Sequence, residues 1–84
     1  METDPLLPEI AVDFIQKCKR TGRKVLGVDR LFLRQGTFIL DLEAIADFTM
    51  DPNGVRDLGA DADAACAFIR SSTTKDSVFT ITVE

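Results

Sequence analysis

Apolar residues recur at helical spacing in the first quarter of the chain. Ala11, Phe14, Ile15 and Cys18 follow the i, i+3, i+4, i+7 stripe, and Leu7 and Ile10 extend it. The pattern predicts a helix from Pro8 to Thr21. Proline fits a first turn, Glu9 and the trailing Lys17, Lys19 and Arg20 suit the helix dipole, and Gly22 is a natural stop.

The period then changes from helical to extended. Lys24 to Arg34 is rich in strand formers, with Gly27 as a bulge or point of close approach. Gln35-Gly36 leads into a second run, Thr37 to Leu42, so the two runs form a hairpin. Leu42, Ile45 and Phe48 are spaced for a short helical turn capped by Asp41, with a continuing bent strand as the competing reading. Residues 49–60 form the one clear loop, marked by Asp51-Pro52-Asn53-Gly54. A second main helix is expected from about Asp61 to Ser71, with Ala65, Cys66, Phe68 and Ile69 on its apolar side. From Ser77 to Glu84, Phe79, Ile81 and Val83 alternate with Val78, Thr80 and Thr82, which reads as a strand with one buried face.

These elements predict a single α+β domain over residues 1–84. Its architecture is a small two-layer sandwich: a three-stranded, mainly antiparallel sheet, two main helices and the short helical turn, in the order α-β-β-(α)-α-β. No proline or lysine interrupts Val78 to Val83, so that strand's edge is where a second copy would pair.

Composition narrows the chemistry. The 84 residues contain no histidine, tryptophan or tyrosine, which removes imidazole relays and imidazole-ligated zinc. Asp41, Glu43 and Asp47 are the residue type that acid–base work or a divalent cation uses, but no Arg clamp or oxyanion device accompanies them in the sequence. Asp51, Asn53 and the aspartates after them are oxygen-rich but miss the EF-hand spacing: Gly54 follows Asn53 directly. The glycines build no phosphate-binding loop, and Ser71 to Thr74 have no base beside them. The expectation is no catalytic residue, no cofactor and no metal.

Net charge is −4, made of +2 over residues 1–35 and −6 over residues 36–84. The basic run Lys17–Lys24 holds five cations in eight residues, but no aromatic is interleaved for base stacking. Its plain reading is a dipole-stabilising helix end, which argues against nucleic acid as the partner. Cys18 and Cys66 share no motif spacing and read as buried free thiols in a reducing cytoplasm. No stretch reaches membrane-spanning length, so no membrane association is expected.

One feature favours an interaction. Asp47, Asp51, Asp57, Asp61 and Asp63 cluster around the long loop and the second helix, an anionic set suited to a protein with a basic surface. The resulting expectation is a small acidic, non-catalytic protein-binding module of the inhibitor or immunity-protein type. The alternative is a homo-oligomerising structural domain, a dimer with no inhibitory role.

Overall fold

A computed structural model of the chain describes residues 1–48 and 58–84, without the side chains of residues 42–44 and 58. The elements are α1 (Pro8–Thr21), β1 (Val25–Arg34), β2 (Thr37–Asp47), α2 (Leu58–Ser72) and β3 (Ser77–Val83). The three strands form an antiparallel sheet in the order β2-β1-β3. Both helices lie on one of its faces, so the two-layer α+β sandwich expected from the pattern is the fold.

The chemistry at each boundary is local. Pro8 opens α1, and Gly22 closes it at φ 73° while its N–H donates to the Cys18 carbonyl. Ala11, Ile15 and Cys18 are the buried stripe of that helix. On α2 the corresponding residues are Ala62, Ala65, Cys66 and Ile69. Small side chains on both helices let them approach closely. From the sheet, Val25, Val28, Phe79, Ile81 and Val83 complete one hydrophobic cluster. Phe68 meets Phe79 edge-on, with centroids 6.4 Å apart.

The β1–β2 hairpin turns at Gln35-Gly36, with φ 50° and 77°. Two successive positive φ values are the mark of a type I′ turn, whose twist matches that of the flanking strands. Glycine takes such a φ without strain, whereas Gln35 takes it against its own preference.

Three expectations need correction. The helical turn expected over residues 42–48 is instead the end of β2, which runs on to Asp47. The ladder resolves the conflict between the two local patterns: Ala46 and Asp47 pair with Val28 and Gly27 of β1, and a register shift between Asp29 and Leu31 absorbs the extra residues on β2. Glu43 and Asp47 therefore share no helical face.

The edge of β3, expected to be open, is covered. Residues 1–6 run antiparallel beside it as an irregular fourth strand, bridging Glu2 to Thr82 and Leu6 to Phe79. Thr3 N–H donates to the Ile81 carbonyl at 2.9 Å, and the Met1 ammonium donates to the Val83 carbonyl at 2.8 Å. Finally, α2 begins at Leu58, three residues before the expected start, and Asp61 lies in its first turn.

Candidate functional site

Directly opposed residues in an antiparallel ladder project to the same face, so the register assigns every side chain. Val28, Arg30, Phe32 and Arg34 of β1 point to the helix side, together with Phe79 and Ile81 of β3. Asp29, Leu31 and Leu33 point to the opposite, open face. Their cross-strand neighbours there are Ile45, Leu40 and Phe38 on β2 and Thr80 and Val78 on β3.

That open face is apolar where the hairpin extends. Leu33 is 43% exposed, Phe38 48%, Leu40 46% and Ile45 44%. Ile39, on the other face of the same strand, is 47% exposed. Isolated exposed leucines are ordinary, but a contiguous row along two paired strands is the kind of surface proteins use for contact.

The other end of the open face is acidic. Asp29 and Asp47 flank a shallow recess with Gly27, Ile45 and Thr82. Burial, followed by the nearby charges of Glu2 and Asp47, raises the Asp29 carboxyl above its ordinary value of 3.8. A raised folded-state value means the folded chain binds this proton more tightly than the unfolded chain does. Stability is therefore lost as pH rises from about 4 through the raised value. Asp29→Asn should raise the thermal midpoint at pH 7, with the gain shrinking as pH falls through the raised value and gone near pH 4. An equal gain at both pH values would rule out the carboxylate as its source.

On the helix side, Arg30 holds the hairpin to the body. Its guanidinium pairs with Asp41, donates to the carbonyl of Ser72 at the end of α2, and lies 4.8 Å from the centre of the Phe32 ring. Arg34 approaches the same ring at 5.7 Å.

The five aspartates singled out from the sequence are not gathered into one patch among the described residues. Asp47 lies at the acidic end of the open face, opposite Gly27. Asp61 and Asp63 are on α2, in the helix layer, and Asp63 pairs with Lys19 of α1 at 2.9 Å. That exposed bridge contributes under about 1 kcal/mol, but it partly neutralises both charges. Asp51 and Asp57 lie outside the described residues. The apolar row and the Glu2–Asp29–Asp47 end were missed by sequence reasoning. The signal that would have found the row is Phe38-Ile39-Leu40, three apolar residues in succession where a one-sided strand needs alternation.

Other features offer less. A groove of about 400 Å³ between α1 and α2 is lined by Pro8, Val12 and Ile69 together with Glu9, Asp13, Arg70 and Thr73. All four of those polar side chains are exposed, so solvent screens their charges. Cys18 and Cys66 are buried free thiols, and burial raises both above the ordinary thiol value, which makes them poor nucleophiles. Among the described residues no three acidic or thiol side chains gather at metal-binding distance, and no helix is long and apolar enough to cross a membrane. The chain matches no protein-family model and no curated protein sequence.

Proposed function

We propose that the chain is a small non-catalytic protein-binding module whose contact surface is the open face of the sheet. The observation that carries this reading is the row Leu33, Phe38, Leu40 and Ile45, each close to half exposed on paired strands. Covering the remaining exposed area of these side chains stabilises a complex by about 1 kcal/mol apiece, before the cost of association. The acidic end at Glu2, Asp29 and Asp47 gives the surface a direction. It suits a partner that presents an apolar strip followed by Lys or Arg, in keeping with the net charge of −4. An inhibitor or immunity-type role fits a module that acts by covering a basic partner, and a reducing cytoplasm suits the two free thiols.

The test is photo-crosslinking in the native host. A photoreactive residue in place of Leu33 should yield an adduct with one other protein, whereas the same residue in place of Arg20 should not. The affinity of that protein should fall about tenfold, roughly 1.4 kcal/mol, in Asp47→Lys, and it should weaken as salt is raised. Equal labelling from both positions, or an affinity indifferent to salt, would overturn the reading.

A further inference from the structure

The two outer edges of the sheet are treated differently. Residues 1–6 cover β3, but no described residue pairs with the outer edge of β2. The hydrogen-bond parity of that edge follows from a single contact. Leu33 N–H donates to the Asp76 carbonyl, on the β3 side of β1. Leu33, and Leu31 two residues before it, therefore direct their peptide groups away from β2. Their partners Phe38 and Leu40 sit in non-hydrogen-bonded pairs, with their own N–H and C=O groups pointing outward from the sheet. Unpaired strand edges of this kind are templates for another strand.

We propose that a second copy of the chain pairs with this edge, antiparallel about a two-fold axis through Ile39. This inference goes beyond the partner reading above, because it uses the strand's edge and leaves the open face free.

Three observations select a second copy. The first is length. The turn at Gln35-Gly36 and the register shift beyond Leu40 confine the regular edge to about residues 37–41, a segment centred on Ile39. The second is the match of this segment to itself. Phe38 faces Leu40 of the second copy and Leu40 faces its Phe38, which gives four backbone hydrogen bonds and extends the apolar row across the axis. Ile39 meets Ile39 on the helix side. Pairing at the edge thus covers apolar side chains on both faces of the strand, whereas stacking on the open face would leave Ile39 bare. The third is charge. Thr37 faces Asp41 of the second copy, and Arg34 lies directly across from Thr37 on the same face. Arg34 is exposed and has no salt bridge among the described residues, and the pairing brings it within reach of that carboxylate.

The experiment is a register-specific crosslink on the full chain. A non-hydrogen-bonded antiparallel pair has its Cα atoms about 4.5 Å apart, within disulfide range. Ile39→Cys should therefore oxidise to a covalent dimer, while Thr37→Cys should not, because its two copies lie about 13 Å apart along the strands. The native thiols are buried and do not compete. Unmodified protein should run as a dimer in light scattering, and Ile39→Lys, which sets two like charges at the axis, should run as a monomer with its secondary structure intact. A strict monomer at every concentration, or equal crosslinking at positions 37 and 39, overturns the pairing. Either result leaves the partner reading standing. A dimer whose Leu33 position labels no other protein supports the edge and sinks the partner.

Discussion

Phe79→Ala should lower the free energy of unfolding by about 3–5 kcal/mol, read as a shift in the midpoint of chemical denaturation at fixed protein concentration. Phe79 is the largest of the fully buried side chains among the described residues. It lies where the layers meet: edge-on to Phe68 of α2 and opposite Arg30 on β1. Its backbone exchanges two hydrogen bonds of 2.8 Å with Leu6, but alanine keeps those. The loss is therefore one of packing, combining transfer of the ring with the cavity it leaves. A domain of this length has roughly 5–10 kcal/mol in total, so the variant should be partly unfolded near body temperature. Phe79→Leu should cost about half as much, since it fills more of the cavity. An alanine loss under about 1 kcal/mol would mean that the small residues of α1 and α2 close over the gap.

The second large effect is expected at the ion pair that fastens the hairpin. The side chains of Arg30 and Asp41 are each only 16% exposed. Removing one leaves the other's charge largely shielded from water without its counterion, and Arg30→Ala should cost about 3 kcal/mol. The pair itself is worth far less than that figure suggests. Both charges were desolvated to make it, and Arg30 Nε is buried without a partner. The double variant Arg30→Met with Asp41→Leu should accordingly recover most of the loss, because two apolar side chains need no counterion. A double variant as unstable as Arg30→Ala would show that the bonds to Ser72 and the stacking on Phe32 matter more than charge balance.

How far the sequence could be read depended on how far the chain's forces are local. Helix α1 was legible from end to end, because its apolar stripe, opening proline and closing glycine lie within fifteen residues. The alternation in β3 was equally plain. The end of β2 was not. Leu42, Ile45 and Phe48 suit a helical turn when read alone, and only the pairing of Ala46 and Asp47 with β1 decides for a strand. Such a pairing between distant residues leaves no mark in a short window. The covering of β3 by residues 1–6 was hidden for the same reason, since its partners are some 80 residues apart.

The acidic surface shows a different limit. Charge summed along the chain correctly gives a negative second half, but it does not say which charges share a face. The three described members of the aspartate set divide between two sides of the molecule. The carboxylates that do approach one another, Glu2, Asp29 and Asp47, come from three separate stretches of chain.

The covered edge of β3 also bears on the order in which the chain folds. Phe79, Ile81 and Val83, three of the core's fully buried side chains, share one cluster with the stripe on α1, which precedes them by some 60 residues. Residues 1–6 find their backbone hydrogen bonds only on β3 once it is paired with β1. Until β3 is in place, residues 1–6 have no strand to pair with and the stripe on α1 has mainly α2 to settle against. Long-range closure of this sort is slow compared with local helix formation. Residues 1–6 and β3 should therefore gain protection from amide exchange together, in one late cooperative step of refolding.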